Sequence, residues 1–250
     1  MKYIEYGKEH PEVIMLLHGG GLSWWNYREA AVQLQYQYHV ILPILDGHAG
    51  SDIDFTTIED CAANILSWIR EHQTGQVLMI GGLSLGAQVV LEMLTQNPDI
   101  CQYALIESAN VIPSKFTHGM IKPMFQSCYG LLHQKWFAKL QFQSLRLPEL
   151  LFEDYFQDTC RISKENYISF TQASTMYALK DSIKNTSAQV SIFVGAKEYA
   201  GMHKSAKKIH IMLNGSSLKI LPKLYHGEFS TKYSENYAKA IIEMLNKKSN

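Results

Sequence analysis

The sequence predicts an α/β fold: a mostly parallel, doubly wound sheet flanked by helices, with one helical insertion. Short apolar runs alternate along the chain with longer segments of helical period. Most of the runs are apolar at successive positions, which is typical of strands that helices cover on both faces. The alternation stops between about residues 111 and 187, where aromatic residues are frequent and little resembles a buried strand.

Six apolar runs predict strands, and five segments of helical period predict the helices between or after them. The strands are predicted at residues 13–18, 39–43, 77–81, 103–106, 190–195 and 218–221. The helices are predicted at about residues 24–36, 58–72, 84–96, 201–213 and 234–246. Repetition of strand, helix and strand produces parallel strands joined by right-handed crossovers.

The stretch without strands is predicted to be an all-helical insertion. Pro113, Pro123 and Pro148 are expected to divide it into several short helices, because proline interrupts a helix interior. The predicted division is therefore a core of residues 1–110 and 188–250 and a helical cap of residues 111–187.

Composition excludes several classes of protein. Of the 250 residues, 46% are hydrophobic and 18% are charged, which excludes a disordered chain. The 23 basic and 23 acidic residues cancel, and this argues against a surface for nucleic acid or anionic membrane. No apolar run approaches the roughly 18 residues of a membrane span.

The cysteines and histidines carry no sign of a disulfide framework or a metal site. The four cysteines form no C-x-x-C pair, so we expect reduced thiols in a cytoplasmic protein. No H-E-x-x-H motif or carboxylate–histidine cluster is present, so a metal site is not expected. We expect a monomer or homodimer that acts on a small molecule.

The strongest motif is GLSLG at residues 82–86, between a predicted strand and a predicted helix. A serine on so sharp a turn needs small neighbours, which Gly82 and Gly86 provide. The helix that follows directs backbone N–H groups towards the same point, where they favour negative charge. A glycine-rich turn with Ser84 as a helix cap is the alternative. The strand–turn–helix context favours Ser84 as a nucleophile.

The second motif is HGGG at residues 18–21, at the end of the first predicted strand. Glycines let the chain turn tightly enough for a backbone N–H to face the nucleophile. Alone, the motif is equally typical of a flexible turn. Together with the serine turn, it indicates a site that stabilises an oxyanion.

These motifs and their order resemble the α/β-hydrolase family, and the resemblance covers nearly the whole chain. Residues 46–51, DGHAGS, are similar to the family's D-G-H-G-x-S segment and lie between the HGGG and GLSLG motifs. In the family, the N–H after the nucleophile and one from the H-G-x loop form the oxyanion hole. The resemblance implies that these belong to Leu85 and Gly20.

The resemblance also implies an acid after a late strand and a histidine near the C-terminus. Glu198 and His226 occupy these positions, in the family's order of serine, acid and histidine. Two details depart from the family pattern: glutamate replaces the usual aspartate, and Tyr225 stands where glycine commonly precedes the histidine. Glu107 remains an alternative acid, because some family members place the acid one strand earlier.

The function that follows from the resemblance is hydrolysis of an ester or thioester with a small to medium apolar acyl part. The reaction would pass through an acyl-enzyme on Ser84, and no cofactor is implied. Hydrolysis of a C–C bond or an amide, or perhydrolysis, would use the same triad and stays open. A non-catalytic relative that binds a ligand is the alternative from another class. Epoxide and haloalkane hydrolases are disfavoured, because their nucleophile is aspartate.

Overall fold

The computed structural model describes residues 1–246, in which seven strands form one sheet. The strand order is β1-β3-β2-β4-β5-β6-β7; β1 is antiparallel to β3 and all other neighbours are parallel. The strands are β1 (Tyr3–Tyr6), β2 (Val13–Leu17), β3 (His39–Pro43), β4 (Val77–Leu83), β5 (Cys101–Glu107), β6 (Gln189–Gly195) and β7 (Ser217–Leu221). The predicted fold class is therefore confirmed.

Ten helices lie among the described residues, and a short 3-10 helix, Trp24–Tyr27, precedes the first of them. They are α1 (Arg28–Leu34), α2 (Ile58–His72), α3 (Leu85–Gln96), α4 (Lys115–Leu132), α5 (Lys135–Ser144), α6 (Phe152–Arg161), α7 (Lys164–Met176), α8 (Ala200–Met212), α9 (Glu228–Lys232) and α10 (Ser234–Asn246). No helix within residues 1–246 has the length and apolar character needed to cross a bilayer.

The core consists of two apolar layers, one on each face of the sheet. In β2, Met15 and Leu17 belong to the layer that includes side chains of α2, α3 and α8. Ile14 and Leu16 belong to the opposite layer, which includes side chains of α1 and α10. Successive side chains of a strand point to opposite faces, so a strand covered on both sides must be apolar throughout.

Helices α4 to α7 lie between β5 and β6, where the helical insertion was predicted. The expected break at Pro123 is wrong, because Pro123 lies inside the 18-residue helix α4. Proline removes one intrahelical hydrogen bond, to the carbonyl four residues earlier, and that residue is the exposed Gly119. Water can therefore hydrate the freed carbonyl. Residues 247–250 of the predicted core lie outside the described residues.

Candidate active site

Ser84 stands on a strained turn between β4 and α3. Its backbone angles are φ 53° and ψ −113°, a conformation that residues other than glycine rarely adopt. Such a conformation costs about 1–3 kcal/mol and persists only where the surroundings enforce it. Here the Ser84 N–H donates to the carbonyl of Glu107 at 2.9 Å, and the Gln88 N–H donates to the Ser84 carbonyl at 3.0 Å.

Two glycines allow this turn to approach the rest of the sheet. A Cβ on Gly86 would lie 2.2 Å from the carbonyl oxygen of Leu17, at the end of β2. A Cβ on Gly82 would lie 2.5 Å from the carbonyl carbon of Gly86. Both obstacles are backbone atoms, which cannot move aside. The GLSLG motif is therefore a steric requirement of the turn that presents Ser84.

The glycine loop after β2 lies against the start of α3. A Cβ on Gly20 would be 3.5 Å from the side chain of Leu85, so the two residues face each other closely. Gly21 has φ +72°, and its N–H donates to Nε2 of His48 at 3.1 Å. The His48 ring in turn stacks on Phe170 of α7, with centroids 4.4 Å apart. The loop is thus held from outside by a residue of the insertion.

Two buried histidines fix the loop and remain uncharged. Nδ1 of His48 donates to the Asp46 carbonyl at 3.0 Å. His18 donates from Nδ1 to the Gly19 carbonyl at 2.9 Å and accepts the Leu45 N–H at Nε2. Burial lowers the pKa of His48 to about 4 and that of His18 well below its usual range. Both rings are therefore neutral near pH 7 and available as hydrogen-bond acceptors.

His226 and Glu198 form a hydrogen-bonded pair on the loops after β7 and β6. Nδ1 of His226 lies 2.8 Å from Oε2 of Glu198. The other carboxylate oxygen, Oε1, accepts the Ser108 hydroxyl and the Gly195 N–H, each at 2.7 Å. The Glu198 carboxylate is inaccessible to solvent, whereas the His226 side chain is 44% exposed. The imidazole can therefore reach a bound molecule while its partner stays dry.

The hydrogen bonds to Glu198 decide its charge. Burial alone raises the pKa of this carboxyl, but the bonds from His226, Ser108 and Gly195 outweigh it and hold the pKa below the ordinary value. Glu198 is therefore ionised near pH 7. An ionised acceptor at Nδ1 favours the tautomer that leaves Nε2 of His226 free to accept a proton.

Glu107 lies in a different environment. Its Oε1 accepts the Ser230 N–H at 3.3 Å, and the side chain is 2% exposed. Burial raises its pKa to about 7. The structure thus brings Glu198, and not Glu107, to Nδ1 of His226.

Ser84 and His226 line one cavity of about 180 Å³. Gly19 and Gly20 form part of its wall, and leucine side chains contribute much of the remainder. Within residues 1–246, no group of three or more His, Cys, Asp or Glu side chains is placed to hold a metal ion. A small molecule bound in this cavity would touch the serine, the histidine and the glycine loop together.

The chain matches a known protein family over most of its length. A model described as the alpha/beta hydrolase family matches residues 14–226. The chain belongs to the alpha/beta hydrolase family. The predicted family is thereby confirmed.

Individual proteins similar to this alpha/beta hydrolase share only a small part of its sequence. A 115-residue stretch is 30% identical to a thermostable monoacylglycerol lipase of Bacillus sp. (strain H-257), covering 44% of this chain and 45% of that one. The match thus spans less than half the length of that curated relative. An esterase from Exiguobacterium antarcticum superposes with TM-score 0.82 at 17% identity, covering 97% of this chain and 94% of that one. An enol-lactonase from Burkholderia xenovorans gives TM-score 0.81 at 14% identity, covering 98% and 96%. At such identities the two structures show the fold.

One residue of this alpha/beta hydrolase's candidate site, Ser108, was not predicted from the sequence. Ser108 follows β5 with φ +56°, and this turn carries its hydroxyl to Glu198. No motif marks Ser108. Its place one residue beyond a strand end, beside Glu107, is the signal that could have drawn attention to it.

Proposed function

We propose that this alpha/beta hydrolase is a serine esterase that cleaves esters or thioesters with a small to medium apolar acyl group. Ser84 is the nucleophile, His226 the general base and Glu198 the acid that orients it. One observation carries this proposal: the paired His226 (Nδ1 to Glu198 Oε2, 2.8 Å) lines the same cavity as Ser84.

The reaction proceeds in two acyl-transfer steps. Oγ of Ser84 attacks the carbonyl carbon while Nε2 of His226 takes the hydroxyl proton, and Glu198 stabilises the resulting imidazolium. The N–H groups of Leu85 and Gly20 donate to the oxyanion of the tetrahedral intermediate. The intermediate expels the alcohol or thiol, which receives the proton from His226. A water molecule then attacks the acyl-enzyme by the same route and releases the carboxylic acid.

Residues 111–187 act as the cap of this esterase, over a core of residues 1–110 and 188–250. Two contacts support that division. Leu145 and Leu147, which follow α5, line the cavity with Ser84. Phe170 of α7 stacks on His48, which holds the glycine loop. The insertion thus supplies part of the substrate site and supports another part.

An ester is favoured over the other bonds that the triad could cleave. The similar proteins include a monoacylglycerol lipase, an esterase and an enol-lactonase. A cytoplasmic location fits the four cysteines, which are free thiols in the structure.

Labelling with a fluorophosphonate, together with hydrolysis of p-nitrophenyl butyrate, tests the proposal. The wild-type protein should label and turn over, because an activated serine attacks phosphorus as well as carbon. Ser84→Ala should abolish labelling and lower turnover by a factor of roughly 10⁴–10⁶. The exposed Ser187→Ala is the matched control and should keep both activities.

Two results would count against the proposal. A wild-type protein that neither labels nor hydrolyses esters would be a ligand-binding member of the family. Full activity in Ser84→Ala would place the nucleophile elsewhere. Circular dichroism of both variants excludes loss of folding as the cause.

A further inference from the structure

An apolar segment of the insertion closes one side of the cavity. Leu145 and Leu147 lie between α5 and the short 3-10 helix Glu149–Leu151, and both line the cavity that contains Ser84 and His226. Leu22 and Leu83 line it from the core. The space beside the serine is therefore bounded largely by hydrocarbon, which favours a hydrocarbon chain over a polar group.

The residue between the two leucines fixes the shape of this segment. Arg146 has φ +57°, the left-handed conformation that ends many helices and usually belongs to glycine. Its N–H donates to the Gln143 carbonyl at 3.1 Å, and the Leu145 N–H donates to the Gln141 carbonyl at 3.1 Å. The left-handed turn thus follows the end of α5 directly, and both flanking leucines line the cavity.

A cation–π contact ties the segment to the loop that carries His226. The guanidinium carbon of Arg146 lies 3.7 Å from the ring centroid of Tyr225, the residue before His226. The Tyr225 N–H donates to Oε2 of Glu228 at 2.8 Å, which anchors that loop to the start of α9. Nζ of Lys197 lies 5.1 Å from the same ring. Cations over an aromatic face are attracted by its quadrupole, so the ring holds the segment in place.

The volume of the cavity limits the chain it can hold. An apolar cavity of about 150 Å³ accommodates a benzene molecule, which has six carbons. At about 180 Å³, this cavity has room for about seven heavy atoms, which corresponds to an acyl chain of about six carbons, counted from the carbonyl carbon, together with the carbonyl oxygen. A longer chain that stays between these walls would have to displace Leu145 or Leu147.

We propose that Leu145 and Leu147, held by Arg146 on Tyr225, set an upper limit of about six carbons on one hydrocarbon chain of the ester substrate. This inference rests on the proposed esterase function and specifies its substrate. Either the acyl chain or the alkyl chain of the alcohol could occupy such a pocket. Two substrate series distinguish these sources.

The test measures kcat/KM for p-nitrophenyl esters from acetate to decanoate and for alkyl butyrates from methyl to octyl. In one series, the wild-type value should fall at least about tenfold beyond six carbons, since one misplaced methylene in a pocket costs roughly that factor. Leu147→Ala and the half-exposed Leu145→Ala should restore the eight-carbon member at least about tenfold relative to the four-carbon member. Leu147→Phe should move the limit to shorter chains.

Two further variants separate the contact from the pocket wall. Arg146→Gly keeps the left-handed turn but removes the cation–π contact, so it should also relax the limit. Leu150→Ala is the matched control: Leu150 is 67% exposed, lies three residues from Leu147, and should leave the limit unchanged. Thermal unfolding of each variant confirms that it is folded, and Leu145→Ala serves where Leu147→Ala fails to fold.

The possible outcomes distinguish the two levels of the proposal. The chain-length limit would be overturned if wild type, both alanine variants and Leu147→Phe gave identical chain-length profiles. If the protein still hydrolysed the acetate ester and labelled at Ser84, the esterase function would stand. An equal effect of Leu150→Ala would overturn it as well. Absence of both labelling and hydrolysis in the wild type would refute the esterase function and, with it, the inferred limit.

Discussion

Replacing Glu107 by glutamine should make the stability of the protein less dependent on pH. Glu107 ends β5 as a buried carboxyl group, with Oε1 accepting the Ser230 N–H. Its Oε2 has no hydrogen-bond partner among the described residues. Burial raises its pKa from an ordinary 4.5 to about 7. The native state therefore holds a proton that the unfolded chain releases at lower pH.

The sign and the size of the effect follow from that difference. Between pH 4.5 and 7 the native protein binds the proton more tightly than the unfolded chain, so stability falls as pH rises. A pKa difference of one corresponds to about 1.4 kcal/mol, so the free energy of unfolding should fall by about 2.5 kcal/mol between pH 5 and pH 8. Glutamine does not titrate, so Glu107→Gln should gain that amount relative to wild type across the same interval.

Urea unfolding of both proteins at pH 5, 6, 7 and 8 measures the difference directly. Other titrating groups are shared, so subtracting the two curves isolates Glu107. The exposed Glu235→Gln variant removes a carboxylate from the surface of α10 and serves as the control. A stability difference between Glu107→Gln and wild type that stays constant from pH 5 to pH 8 would refute the reasoning, because the buried carboxyl would then ionise as in the unfolded chain.

Two further variants probe the acid of the proposed triad. Glu198→Gln should lower turnover by a factor of roughly 10²–10⁴, because an amide favours the wrong tautomer of His226, whereas Glu107→Gln should cost much less; the opposite ranking, with one ester and folded proteins, would move the acid to Glu107. Ser108→Ala removes a bond to a buried carboxylate, worth about 1.5–3 kcal/mol, and should lower kcat roughly ten- to hundredfold with KM unchanged. A rise in KM with unaltered kcat would contradict that positioning role.

The sequence predicts the buried strands well because their environment leaves only one pattern. Strands β2 to β6 lie inside the sheet, and continuous apolar runs mark them. The edge strand β1, Tyr3–Tyr6, was not predicted, because it is half-buried and Glu5 interrupts its apolar residues. The other edge strand, β7, was predicted because an apolar run at residues 218–221 marks it. Pro123 predicted a helix break that the structure does not have. The helix continues through it because the carbonyl that Pro123 leaves without a partner is at the surface.

The same division between local and distant causes holds at the candidate site. Gly82 is visible in the sequence because the backbone it must clear belongs to Gly86, in the same short turn. Gly86 clears the distant Leu17, but it is visible as part of the same motif. Ser108 is not visible, because its partner Glu198 lies far along the chain. The pairing of β5 with β6, at Glu107 and Phe193, brings the two together. The contact of Arg146 with Tyr225 depends equally on packing that no motif records.

Backbone strain connects these features. The non-glycine residues with positive φ among residues 1–246 are Ser84, Ser108, Arg146 and Lys223. Ser84 follows β4, Ser108 follows β5, Lys223 comes two residues after β7, and Arg146 lies in the segment over the cavity. All four thus stand at the edge of the sheet where the site lies or in the segment that covers it. Each costs about 1–3 kcal/mol, and such strain persists only where the packing around it is rigid. The buried strands provide that rigidity at Ser84 and Ser108, whereas the exposed Arg146 is fixed by its hydrogen bond to Gln143 and its contact with Tyr225. The stability of the core therefore holds the serine and the Ser108 bond to Glu198 in one geometry, and a surface contact holds the apolar wall.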